Sequence, residues 1–294
     1  MKTFFTRTAW TSGAAMLLAL GAMFVADVAV AGIANTKHNL STGGTGANHV
    51  TAGTDEICVF CHTPHGADTS AAVPLWNKKL PATAGYTLYS ALNSSTIDGQ
   101  ILTVGSVSLA CLSCHDGTQA MDNIINAPGS GGYDATGGST NGLSYTWATG
   151  PNVNAAGQMI NGVDGGGANI ALIGTDLRND HPIGIQYCGG GPNATSPTAN
   201  CVDADFKGAS NGLHNATINS NLVWWVDTAP GTAGQRDKTD MILYTRSFGG
   251  TNGPSVECAS CHDPHVEAGT GSSGATFLRV SNSGSAVCLS CHVK

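Results

Sequence analysis

The sequence predicts a fold of mostly loops, with short helices and a few short β-strands wrapped around bound groups instead of a large side-chain core. Three observations predict it. The pattern Cys-X-X-Cys-His occurs four times, at Cys58–His62, Cys111–His115, Cys258–His262 and Cys288–His292. Amphipathic periodicity is poor, and aromatic residues make up 6% of a chain that holds 40 glycines. Six histidines also lie outside the motifs: His38, His49, His65, His181, His214 and His265.

Cys-X-X-Cys-His is the attachment signature of c-type haem. Positions i, i+3 and i+4 of a helical turn share one face, so both thiols can form thioethers with one porphyrin while the histidine reaches its iron. Cys58 and Cys61, Cys111 and Cys114, Cys258 and Cys261, and Cys288 and Cys291 are therefore the expected anchors of four haem c groups. His62, His115, His262 and His292 are the expected proximal ligands. One match could be a chance redox pair; four predict a multihaem cytochrome c whose porphyrins, stacked as a chain, supply the missing apolar core.

Residues 1–31 read as a secretory signal peptide. Lys2 and Arg7 precede an apolar run from Ala14 to Ala26, and Ala29-Val30-Ala31 supplies small residues before Gly32. A membrane span needs about 20 apolar residues, so none is expected here or later. The chain is expected to be exported through the periplasm to the cell surface or beyond. Cleavage after Ala31 removes two of the 12 Lys and Arg and one of the 19 Asp and Glu, leaving a formal charge of −8. With no basic stripe, nucleic acid is not an expected partner. Charged residues are 11% of the chain, against roughly 25% in typical soluble proteins; such a surface repels copies of itself weakly.

Residues 32–125 read as a first haem-pair unit. An extended segment from Ile33 to Leu40 leads to the first motif, and Pro74-Leu75-Trp76-Asn77 follows, with Trp76 expected to pack on a porphyrin. A strand or hairpin over 99–110 leads to the second motif, and a helix is expected from Thr118 to Ile125. Residues 126–255 read as a Gly/Asn-rich, haem-free wrapping region with short strands at Ile170–Ile173 and Leu222–Val226. A loop of that length is uncommon unless functional. Residues 256–294 read as the second haem-pair unit, with Phe277–Val280 strand-like. The order repeats: Cys-X-X-Cys-His-X-Pro-His at 58–65 and again at 258–265, each followed by a Cys-Leu-Ser-Cys-His.

Each iron has a sixth position that takes His or Met or stays open. His65 and His265 stand three residues after proximal histidines, with Pro64 and Pro264 turning the backbone between. Neither can cap the haem its neighbour already holds, so each is expected to point at an adjacent one. His181, beside Asp180 and before Pro182, and His38 are the other two expected distal ligands; Asp180 is near enough in sequence to orient an imidazole. His49 and His214 read as exposed loop histidines. None of Met121, Met159 and Met241 stands in a ligand motif. Cys188 and Cys201 lie outside the motifs and are expected to form a disulfide in an oxidising compartment.

Several stretches resemble one family: Asn35-Thr36-Lys37-His38-Asn39-Leu40-Ser41, Cys58 to His65, Pro74-Leu75-Trp76-Asn77, Cys111 to Gly117, Asn179-Asp180-His181-Pro182-Ile183 and Cys288 to Lys294. Together they are similar to the extracellular tetrahaem cytochromes of the OmcE type found in metal-respiring bacteria. They span most of the chain after residue 31, and the middle is matched only at His181. The resemblance implies polymerisation into a filament with a continuous haem row, in which one axial histidine per subunit comes from the neighbouring copy. His38, close to the expected mature terminus, is the candidate for that crossing.

The expected function is electron transfer without substrate chemistry, and so not enzymatic. Electrons would pass from redox partner cytochromes through the haems to external acceptors such as a metal oxide. Bis-histidine ligation gives lower potentials than His/Met ligation. The alternative is a discrete periplasmic or surface carrier that does not polymerise. A multihaem reductase acting on nitrite or hydroxylamine would need an open sixth position, and the spare histidines outnumber the vacancies. No phosphate-cradling glycine loop stands in a strand-to-helix setting.

Overall fold

The computed structural model describes residues 32–129, 132–134, 145–148, 152–161, 169–228, 232–266 and 277–293. The signal-peptide reading of residues 1–31 lies outside them. Most described residues are loop, and the α-helices they contain coincide with the motifs. A 3-10 turn spans Cys58–Phe60. Helices α1 (Ser106–His115), α2 (Cys258–Cys261) and α3 (Ala286–Leu289) carry the other three. In the first, third and fourth motifs the histidine N–H donates to the carbonyl of the first cysteine, at 2.8, 3.1 and 2.9 Å. These i to i+4 bonds put the two thiols and the imidazole on one face, as attachment requires.

Strands β1 (Val50–Ala52) and β2 (Thr146–Trp147) form an antiparallel pair. A five-stranded antiparallel sheet follows in the second half of the chain, in the order β3-β7-β6-β5-β4. Its members are β3 (Ile185–Gln186), β4 (Leu213–Ile218), β5 (Asn221–Val226), β6 (Met241–Phe248) and β7 (Thr251–Val256). Leu213, Trp224, Val226, Met241, Leu243 and Val256 bury one side of it against Tyr187 and Cys188. Two further clusters gather around Phe60, Met121 and Ile124 and around Tyr89, Leu112 and Leu177. Apolar burial is thus divided into small clusters beside the motifs, with no single large core among the described residues.

Four local expectations are corrected. The segment from Ile33 begins with a 3-10 turn over Gly32–Asn35 and does not run extended. Residues 99–110 are not a hairpin: from Ser106 they enter α1, because the motif it carries demands a helical turn despite the β-branched Val107. Residues 118–125 are not helical, because the carbonyls of Ala120, Met121 and Asn123 turn away to accept from the Lys78 ammonium. Ile170–Ile173 is a turn and not a strand, its backbone held by Ile173 N–H to His115. The strand at Leu222–Val226 is found, within β5.

Cys188 and Cys201 form the expected disulfide. Replacing both with serine should lower stability by about 3 kcal/mol for a loop of this size. By thermal unfolding that is a fall of roughly 6–12 °C in Tm, with haem content unchanged. An unmoved Tm would show that the loop is held by its other contacts. Among the described residues no helix is long and apolar enough to cross a membrane.

Candidate haem-binding site

Three of the four motifs end in the same backbone device. After the first, His62 bridges Trp76, the Thr63 N–H donates to the Leu75 carbonyl at 2.9 Å, and the Asn77 N–H donates to the Cys61 carbonyl at 2.9 Å. After the third, His262 bridges Leu278, the Asp263 N–H donates to Phe277 at 2.8 Å, and the Arg279 N–H donates to Cys261 at 2.8 Å. After the fourth, His292 bridges Phe206, the Val293 N–H donates to Asp205 at 2.7 Å, and the Lys207 N–H donates to Cys291 at 2.8 Å. Each time a remote apolar residue is clamped beside the histidine. Leu75 and Phe277, which precede two of these residues, both take left-handed backbone conformations, at φ 57° and 54°. The second motif is held differently, with the N–H groups of Ile173 and Gly174 both donating to the His115 carbonyl.

None of the eight motif cysteines is in a disulfide, and every one keeps accessible surface. Yet burial pushes the Cys61 and Cys291 thiols up to about 12 and the Cys261 thiol to about 11. The thiols also follow one another in chain order. The Cys114 thiol helps to raise that of Cys61, the Cys258 thiol that of Cys111, and the Cys261 thiol that of Cys291.

Two pairs of imidazoles stand close together. The rings of His62 and His265 have centroids 6.2 Å apart and planes 19° from parallel. Those of His38 and His115 are 6.1 Å apart and 79° from parallel. Two imidazoles holding one first-row metal from opposite sides, each by a bond of about 2 Å, have ring centres about 6 Å apart. The donor atoms fit as well. Nδ1 of His62 donates to the Pro74 carbonyl at 2.8 Å, and Nδ1 of His115 to the Ala171 carbonyl at 2.6 Å. Nδ1 of His265 donates to Asp263 Oδ1 at 3.2 Å. Such bonds fix the tautomer and leave Nε2 as the ligand atom. Nδ1 of His38 is buried, with the Pro264 carbonyl beside it but outside good hydrogen-bond geometry.

The electrostatics suit ligation by neutral imidazole. His38 is pulled down to about 4, first by burial and then by the neighbouring His115. Burial likewise lowers His115. The hydrogen bond from His265 holds Asp263 down to about 2, so it stays a carboxylate and strengthens His265 as a donor.

His65 and His181 are exposed. Asp180 does not orient His181, whose Nδ1 lies 3.0 Å from the Pro182 carbonyl, while Tyr89 donates to its backbone at 2.7 Å. Within this chain His38 stacks on Phe277, ring centres 4.2 Å apart. His214 is not a loop histidine; it lies on β4, 3.0 Å from Asp227 and stacked on Trp225. His49 is half-buried, its Nδ1 2.6 Å from the Gly46 carbonyl. Trp76 is buried and edge-on to His62 at 6.3 Å. Lys78, Asp263 and Phe206 were not singled out from sequence, and Phe277 only as the start of a strand-like run. Of the first three only Asp263, next to His262, carried any signal.

Compared with known families, residues 254–294 match one described as the doubled CXXCH motif. The segment contains the third and fourth motifs. No curated protein matches the chain. The match supports a multihaem cytochrome c, in which haem is bound covalently and serves electron transfer.

Proposed function

We propose that the protein conducts electrons through four covalently bound bis-histidine haems, as an extracellular filament of identical chains resembling the OmcE type. When bound, each haem supplies a one-electron ferric/ferrous couple. The chain's own residues do the rest: thiols space the groups, imidazoles close both iron faces, and the clamped residues Trp76, Leu278 and Phe206 exclude water beside the proximal histidines. The pairing of His62 with His265 carries this reading, because it joins the first motif to the repeat around the third and leaves no place on that iron for substrate. His38 serves the His115 haem. His65 and His181 then remain for the His262 and His292 haems. Both are exposed, so the crossing to a neighbouring copy falls to one of them and not to His38. Export across the cytoplasmic membrane and delivery of respiratory electrons to an external acceptor follow from that assembly.

The test is a haem count on the purified protein, by pyridine haemochrome and intact mass, with electron microscopy of the same sample. Four haems per chain, all low-spin when oxidised, in filaments, is the expected result. Fewer than four, or a high-spin signal at rest, overturns the conduit. Discrete particles with four low-spin haems would instead identify a non-polymerising carrier.

A further inference from the structure

Lys78 is fully buried beside the first motif. Its Nζ donates to the Ala120 carbonyl at 2.9 Å and to the Met121 and Asn123 carbonyls at 3.2 Å each. Three acceptors use all three protons of an ammonium. Among the described residues no carboxylate lies within ion-pair distance of it. Asp122, in the same turn, instead accepts from the Tyr145 N–H at 3.0 Å. Burying a cation without a counter-ion costs several kcal/mol, which a turn needing only hydrogen bonds could avoid with a neutral donor.

The position of the charge gives it a use. Lys78 directly follows Asn77, whose N–H donates to the Cys61 carbonyl, and lies two residues after Trp76, which bridges His62. Its field reaches the Cys61 sulfur. Reduction adds one negative charge to a haem, so a fixed cation in a weakly screened interior favours the reduced state. We propose that Lys78 is a potential-setting residue, whose buried charge raises the reduction potential of the haem held by Cys58, Cys61 and His62 above that of the haem held by His115 and His38. This rests on the bis-histidine reading above.

The two ligand geometries provide the assignment. In oxidised low-spin haem, near-parallel imidazole planes give a rhombic electron paramagnetic resonance signal and near-perpendicular planes a strongly axial one. The haem between His62 and His265 should therefore give a rhombic signal, identified among the four as the one that His265→Ala abolishes. In the full-length holoprotein, Lys78→Met and Lys78→Gln should keep the wild-type haem count. At fixed electrode potential, the rhombic haem's oxidised-to-reduced ratio should rise at least tenfold, about 59 mV for a one-electron couple. Lys78→Arg should restore it. An unmoved rhombic signal in a fully loaded variant overturns the proposal. If neither neutral variant loads haem, the wild-type titration decides: the rhombic signal must disappear before the axial one as the potential is lowered, and the reverse order overturns the proposal. A wild-type count below four would count against the haem reading itself.

Discussion

Replacing His38 with alanine is expected to turn one haem per chain from low-spin to high-spin while covalent loading stays at the wild-type count. His38 is not part of an attachment motif, so the thioethers at Cys111 and Cys114 do not depend on it. Its ring is placed 6.1 Å from that of His115, and within the described residues no other imidazole ring stands opposite His115. Loss of the ring also removes the stack on Phe277 and leaves a cavity, at about 1–3 kcal/mol. Optical and magnetic resonance spectra of the oxidised protein report the spin change directly. If His38 ligates within its own chain as proposed, isolated wild-type chains should keep this haem low-spin and the variant should lose it in every assembly state. Four low-spin haems in the variant would show that another residue, or another copy, supplies the ligand.

The largest loss of stability should come from the double change Cys111→Ser and Cys114→Ser. These thiols sit on α1, which packs Leu109 and Leu112 against Tyr89 and Leu177. Cys111 also meets Cys258 of the third motif. Truncating one large aromatic in a core costs about 3–5 kcal/mol, and the porphyrin lost here is larger than any side chain. A loss above about 5 kcal/mol corresponds to more than 10 °C in Tm for a chain of this size. Thermal unfolding of the three-haem product measures it, and a shift of only a few degrees would mean that the clusters around the haems hold the fold unaided.

The motifs were legible because covalent attachment fixes residue type at fixed spacing, and the helical turn they imply is the one found. The disulfide followed from two leftover cysteines, and β5 from the short apolar run Leu222 to Val226. The rest of the sheet was hidden. Strand β7 contains Gly253 and Pro254, which read as a turn; the sheet tolerates Pro254 because β3 pairs only with Gln186 to Ser255 and Ile185 to Val256, leaving that side of Pro254 unpaired. The distal partners could be counted from sequence but not matched to their irons, since His62 meets His265 only through tertiary placement. Lys78 gave no signal, because a lysine next to Lys79 in sequence looks like solvated surface.

The contact between His62 and His265 joins the earliest motif to a residue close to the end of the chain. A polypeptide made from its N-terminus thus acquires its first porphyrin site long before that site can be closed. Under the proposed ligation, a fragment stopping short of His265 would leave that iron with one open face and would differ in colour from the finished molecule.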